Sequence, residues 1–223
     1  MSIPVIAIDG PSASGKGTVA KRVAGALGFH FLESGALYRL VALSSLRRNV
    51  SAGDEARLAE LARSLSARFS GDTIFYEDQD VTQELRGEAC GNRASEVARM
   101  AGVREALLAR QQAFRRPPGL VADGRDMGSV VFPDAQLKVF LTASLAVRAE
   151  RRYKQLKEKG IPASMSTLSR DLEERDIRDA NRAASPLVAA HDAVQLDSSE
   201  LSVDGVVALI VGWWRDAASR ESV

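Results

Sequence analysis

The sequence predicts an α/β protein built on a parallel sheet, and three observations predict it. Five short apolar runs read as buried strands: Val5–Ile8, Phe29–Leu32, Leu120–Ala122, Leu137–Leu141 and Ala193–Leu196. Most are followed by residues at helical spacing, the alternation that parallel strands need for their crossovers. Three of them end in polar, glycine-containing stretches, namely Asp9-Gly10, Glu33-Ser34-Gly35 and Asp123-Gly124-Arg125-Asp126. Ligands of such sheets collect at the carboxyl ends of the strands.

The first strand opens into a turn rich in glycine and hydroxyls, and from Thr18 onward Val19, Val23 and Leu27 mark a helix. Gly10, Pro11, Ser12, Ala13, Ser14, Gly15, Lys16, Gly17 and Thr18 thus stand between a strand and a helix. That is the setting of a phosphate-binding loop, in which backbone N–H groups cradle a polyphosphate and the lysine reaches its outer phosphates. An ordinary Gly/Ser-rich loop with a surface lysine is the alternative, and strand, spacing and helix together speak against it. Gly17 occupies the position where the general motif has Ser or Thr, so the usual hydroxyl ligand to magnesium is missing there; Thr18 follows it.

Between Arg63 and Gly102 the pattern changes to short extended pieces around the turn signals Ser70-Gly71-Asp72 and Asp78-Gln79-Asp80, then to a polar helical run from Thr82 to Met100. Residues 63–101 read as an inserted substrate-side subdomain in a core formed by 1–62 and 102–223. Helical patterns resume over Val103–Arg115, stop at Pro117-Pro118, and return over Ala143–Lys159 and Ser166–Asn181. Lys157 to Pro162 has the look of a hinge or tip, which places a lid at about residues 154–169. The stripe Val203, Val206, Val207, Ile210 with Trp213 and Trp214 predicts a docked C-terminal helix.

Composition narrows the classes. At 223 residues the chain fits one domain with an insertion, and a net charge of +1 argues against a general nucleic-acid binder. Of its 30 basic residues only six are lysine, leaving 24 arginines, whose planar forks suit phosphate; base content of the genome explains such a bias equally well, so only their positions count. The single Cys90 excludes an internal disulfide. The N-terminus goes straight into a strand without a charged-then-apolar leader, and Val206–Trp214 is too short to span a bilayer. A soluble cytoplasmic protein, with neither membrane nor nucleic acid as partner, is the expectation.

Leu120-Val121-Ala122-Asp123 is an apolar strand ending in an acid, the arrangement by which P-loop proteins hold a carboxylate near magnesium, although an aspartate capping a turn has the same pattern. Arg125 and Asp126 follow between two glycines. Late in the chain Arg175, Asp179 and Arg182 fall on one helical face with Arg178 beside them, and Arg148, Arg151 and Arg152 cluster on the helix before. A solvated face laced with ion pairs is one reading. The other is a set of mobile arginines that neutralise the equatorial oxygens of a transferring phosphoryl group. If they close as a lid, Arg175, Asp179 and Arg182 should stand in water while the site is open. His30 and His191 read as structural.

IDGPSASGKGT, SGALYR, ADGRDMGSVVFPDA and ERDIRDANRAASPL, in that order and with ARQQAF before the third, resemble the bacterial cytidylate kinase family nearly end to end. The resemblance implies the three-layer, adenylate-kinase-like P-loop fold with a five-stranded parallel sheet, an inserted CMP-binding subdomain and a lid. It implies transfer of the γ-phosphoryl group of ATP to CMP or dCMP with Mg2+, and it assigns substrate contacts residue by residue. Ser34 and Arg39 match acceptor positions, Arg39 facing the CMP phosphate. Arg125 matches a phosphate contact and Asp126 a group near the cytosine amine. Ser95 and Arg104 match positions reaching sugar or base, and Arg175, Asp179 and Arg182 a late set touching ribose, base and phosphate. Lys16, Arg125, Arg152 and Arg182 are the expected charge-neutralising groups, Asp123 the expected metal-side carboxylate, direct or through water, and a monomer the expected state. Glu33 stands where many relatives have aspartate, and the insert is a few residues short. A CMP phosphate is already an anionic nucleophile, so no general base is needed. A kinase for another monophosphate such as UMP is the nearest rival. A P-loop switch is the rival from another class, and it lacks its Asn-Lys-x-Asp motif: Asn49, Asn92 and Asn181 are followed by Val50, Arg93 and Arg182.

Overall fold

The computed structural model describes residues 3–158, 160–182 and 185–220. Two compact units divide the chain, one formed by the residues up to Leu32 together with those from Phe114 onward, the other by Glu33–Ala113.

In the first unit Val5–Asp9 (β1), His30–Glu33 (β2), Leu120–Gly124 (β6), Leu137–Thr142 (β7) and Val194–Asp197 (β8) make one sheet in the order β2-β6-β1-β7-β8. The β1–β6, β1–β7 and β7–β8 ladders are parallel. β1 is central and wholly buried because helices cover both faces of a parallel sheet, which is why its sequence is uninterrupted apolar up to Asp9. Two expectations fail here. The apolar runs predict buried strands at β2 and β8, yet Val194 is 39% exposed and only Leu32 of β2 is buried. Both are sheet edges with one neighbour each, so a short apolar run there meets less cover than in the centre.

Lys16–Leu27 (α1) starts two residues before Thr18 and ends at Gly28, whose left-handed backbone (φ 68°) closes the last turn by donating to Ala24 and Gly25 carbonyls. Val19 and Val23 of α1 pack with Ile6, Ile8, Val121 and Leu141 of the sheet and with Val206 and Ile210 of Val203–Arg220 (α9). Fully burying each such side chain is worth about 1.5–3 kcal/mol. Trp214 of α9 meets Phe29 edge-on, centroids 5.5 Å apart, as the docked helix predicts. Leu145–Glu158 (α7) and Met165–Ala180 (α8) pack against each other. Lys159, expected to end the first of these and to belong to the hinge, lies outside the described residues. Among the described residues no helix is long and apolar enough to cross a membrane.

The second unit holds Ser34–Arg47 (α2), Glu55–Arg63 (α3), Thr82–Leu85 (α4), Glu88–Val97 (α5) and Ala101–Gln112 (α6). It also carries an antiparallel sheet of Ala67–Ser70 (β3), Thr73–Tyr76 (β4) and Gln79–Asp80 (β5). The expected polar helix from Thr82 to Met100 is broken by the extended backbone of Gly87 (φ −64°, ψ 152°) into α4 and α5. α3, with Asp54 capping its first turn through the Arg57 N–H at 3.0 Å, has no counterpart in the sequence reading.

Candidate functional site

β1 delivers its chain straight into the loop. A Cβ on Gly10 would be driven into the Leu141 carbonyl oxygen of the neighbouring strand, so only glycine fits where the backbone leaves the sheet. Ala13 (φ 59°) and Gly15 (φ 91°) complete the reversal that brings Lys16 to the first position of α1. The first N–H groups of a twelve-residue helix with no side-chain cap then border the loop.

Lys16 is buried and donates from Nζ to the Pro11 carbonyl at 3.0 Å. Burial, and then the nearby charges of Arg125 and Arg175, push its ammonium down to about 7, against the pull of Asp123 and Asp179. The loop is gripped from outside by arginines of α7: Arg148 Nη1 reaches the Ser12 carbonyl at 3.2 Å, and Arg151 Nη1 the Ser14 carbonyl at 2.9 Å. Arg148 also pairs with Asp176 of α8 at 2.7 Å.

Asp123 stands at the end of β6, and a Cβ on Gly17 would come 3.1 Å from its Oδ2. The absence of a side chain at Gly17 therefore leaves room for a carboxylate beside the start of α1. Arg125, one strand-end further, joins the loop to α8. Its Nη2 donates to Ser12 Oγ at 2.8 Å and its Nε to Asp179 Oδ2 at 2.9 Å. Arg182 Nη2 takes the other oxygen of Asp179. Burial alone would raise the Asp179 carboxyl, but Arg125 and Arg182 outweigh it and hold it below the ordinary carboxylate range.

The late set departs from expectation in two ways. α8 ends at Ala180, so Arg182 is not on the helical face but just past its cap at Asn181. Nor do these side chains stand in water: Asp179 is 0% and Arg182 9% exposed. An aspartate placed between two guanidiniums is drawn inward with them, since opposite charges compensate the loss of water. Arg175 is half-buried, and Arg152 donates to Gln155 of its own helix at 2.8 Å. It is Arg148 and Arg151, not Arg152, that hold the loop's carbonyls.

In the second unit Ser34 is the buried first residue of α2. Arg39 donates from Nη1 to the Leu85 carbonyl at 2.5 Å, and its guanidinium lies so close to α5 that a Cβ on Gly91 would stand 3.2 Å from Nη1. Ser95 on α5 is buried with no hydrogen-bond partner for Oγ among the described residues. Arg104 reaches the Ala98 carbonyl at 3.1 Å and lies over the Tyr38 ring at 5.6 Å. The sequence reading assigned no role to Gly91 or Tyr38, and named Asp9 only as a strand end. Asp9, an acid closing an apolar strand, carries the same signal that singled out Asp123, and its two oxygens each accept a backbone N–H at 2.8 Å, from Met127 and Gly128.

A parallel sheet whose central strand feeds a glycine-rich loop with a buried lysine, backed by arginines from the following crossovers, defines a P-loop kinase. The cytidylate kinase family model matches residues 6–215. The chain belongs to that family. It is 59% identical over 215 residues to the cytidylate kinase of Ralstonia pickettii (strain 12J), covering 96% of this chain and 93% of that one. Identity is 57% to that of Bordetella bronchiseptica (strain ATCC BAA-588 / NCTC 13252 / RB50), with 95% of each chain covered. It is 54% to that of Nitrosomonas eutropha (strain DSM 101675 / C91 / Nm57), with 98% of each covered. Among solved structures, a gluconokinase from Sinorhizobium meliloti 1021 aligns over 98% of this chain and 96% of its own at 18% identity and a TM-score of 0.48, too distant to carry an argument.

Proposed function

We infer that this chain transfers the γ-phosphoryl group of ATP to CMP or dCMP, giving ADP and CDP or dCDP. Membership of the cytidylate kinase family supports the substrate class. The observation that carries the chemistry is Lys16, held inside the loop, bonded to the Pro11 carbonyl, with burial first and then Arg125 and Arg175 pushing its ammonium down. A polyphosphate drawn against these cations reverses that repulsion, so binding energy is available where charge moves during transfer.

Gly10 to Thr18 are assigned to ATP, and Lys16, Arg125 and Arg182 to charge neutralisation, with Arg152 as a further cation of α7. Ser34, Arg39, Ser95, Arg104, Arg125, Asp126, Arg175, Asp179 and Arg182 are assigned to the acceptor. The partnerless hydroxyl of buried Ser95 supports its part, because a buried donor left unsatisfied costs stability unless a ligand completes it. Residues 63–101 are assigned to the acceptor side, and about 154–169 to a lid. A monomer in the cytoplasm completes the reading.

Magnesium is assigned to Asp123. One hard carboxylate oxygen beside the side-chain-free Gly17 fits an ion that takes few protein ligands and fills its shell with water and phosphate oxygens. When bound, Mg2+ neutralises phosphate charge; the protein's own part is to hold the loop, present Lys16 and aim the arginines.

The test is ADP release measured with CMP, dCMP, UMP and AMP as acceptors. CMP and dCMP should exceed UMP and AMP in kcat/KM by at least ~10-fold, since a site built around the 4-amino group leaves a polar partner unpaired with uracil. Equal efficiency with UMP would reassign the acceptor.

A further inference from the structure

We propose that Asp9 is a positioning residue that sets where Arg125 and Asp126 stand, by holding the backbone N–H groups of Met127 and Gly128. The inference rests on the reading of Arg125 and Asp126 as acceptor contacts. The β1–β6 ladder pairs Asp9 with Gly124, so the chain leaves the sheet directly beside Asp9. The same residue catches it again: Oδ1 accepts from Met127 and Oδ2 from Gly128, each at 2.8 Å. Only Arg125 and Asp126 lie between the two attachments. They form a two-residue span pinned at both ends to one residue.

The anchor itself has little freedom. Gly10, next in the chain, is packed against the Leu141 carbonyl, so the end of β1 cannot slide without moving the neighbouring strand. Beyond the span, a π-helical turn over Met127–Val131 is tied back to Asp126, whose carbonyl accepts from Val130 at 2.9 Å and Val131 at 3.1 Å. Two neighbouring N–H donors require two acceptors, which a carboxylate supplies and an amide does not. An asparagine in the place of Asp9 would turn an NH2 against one of the donors. Keeping an acid here is unfavourable for the fold. Burial lifts the Asp9 carboxyl to about 7 even against the two N–H bonds, with Asp126 and Asp123 adding to the rise.

The experiment is a double-mutant cycle of Asp9→Asn and Arg125→Ala, read by kcat and KM for CMP, by affinity for a fluorescent ATP analogue, and by melting temperature. Asp9→Asn, assayed at about pH 8 where the parent's carboxyl is ionised, should lower kcat/KM for CMP by ~30-fold or more, keep ATP-analogue affinity within ~3-fold, and still melt cooperatively; in the Arg125→Ala background, where only the Asp126 part of the effect is left, it should cost no more than ~10-fold further. Asp9→Ser, whose hydroxyl ends one bond short of the carboxylate oxygens and reaches neither donor, should lose at least as much. Losses that multiply fully in the double variant, or an equal loss of ATP affinity, overturn the proposal. So does failure of both Asp9 variants to fold, which would make Asp9 a support of the core and not of the span. If Arg125→Ala alone leaves CMP turnover normal, the role given to Arg125 is at fault and the inference falls with it. If Arg125→Ala is crippled and Asp9→Asn is not, only the inference falls.

Discussion

Lys16→Met should make the protein more stable and nearly inactive. The ammonium is held at about 7 where its ordinary value is 10.5, mainly by burial and then by Arg125. At ~1.4 kcal/mol per unit, keeping that group in the charged form costs roughly 4–5 kcal/mol. Methionine has a similar reach and no charge to desolvate, and it forfeits the bond to the Pro11 carbonyl, worth about 1–2 kcal/mol. A net gain of roughly 2–4 kcal/mol raises the melting temperature by about 4–16 °C in a chain of this size. The pH dependence carries the same signature. Between about 7 and 10.5 the unfolded lysine holds a proton that the folded one has released, so the stability of the parent rises with pH through that window. In Lys16→Met this rise should be missing. Calorimetry at pH 7.5 and 9.5 reads both effects, and turnover with ATP and CMP should fall at least ~100-fold, one well-aimed cation being worth ~3 kcal/mol in the transition state. A variant that melts below the parent at pH 7.5 and keeps the full rise to pH 9.5 would refute the account of the buried charge. Normal turnover would refute the role.

Asp126→Ala should lose kcat/KM for CMP by ~10-fold or more beyond its loss for UMP, because only cytosine offers a 4-amino donor to a carboxylate; equal losses would leave Asp126 a positioning part. Gly91→Ala should raise KM for CMP by about 3–10-fold with ATP affinity and melting temperature little changed, since the new methyl meets the movable end of Arg39 and not backbone. An unchanged KM would separate Arg39 from the acceptor. Asp179→Ala strips buried Arg182 and half-buried Arg125 of their shared counter-charge and should destabilise by ~3–5 kcal/mol in a denaturant titration. A loss below ~1 kcal/mol would mean that water screens the cluster.

How far the sequence carried depended on whether a residue's meaning is local. The loop from Gly10 to Thr18 was readable because strand, glycines, lysine and helix are neighbours in the chain, and the structure changes only where α1 begins. The central strands were readable for the same reason: β1, β6 and β7 are covered on both faces, so their runs are apolar but for Lys138 of β7, whose ammonium finds the Pro133 carbonyl and Asp192. The edge strands were misjudged because an apolar run of four says nothing of how many neighbours it will find. The break at Gly87 was hidden by a polar helical pattern on both sides of it.

Arg148, Arg151 and Arg152 show where residue type stops being informative. They are chemically identical and all sit on α7, and the sequence singled out Arg152 only as a charge-neutralising cation; which of them meet the loop's carbonyls, Arg148 and Arg151, residue type does not say. The late set makes the same point about burial. Periodicity correctly gathered Arg175 and Asp179, but it reads a charged face as a wet one. Arg125, arriving from β6 more than fifty residues earlier, turns that face inward: once its Nε meets Asp179 at 2.9 Å, the carboxylate gains more from two guanidiniums than from water. Charge patterning along one helix cannot contain that partner, so a solvated surface and a buried ionic centre look alike until the strand that supplies the third charge is placed beside them.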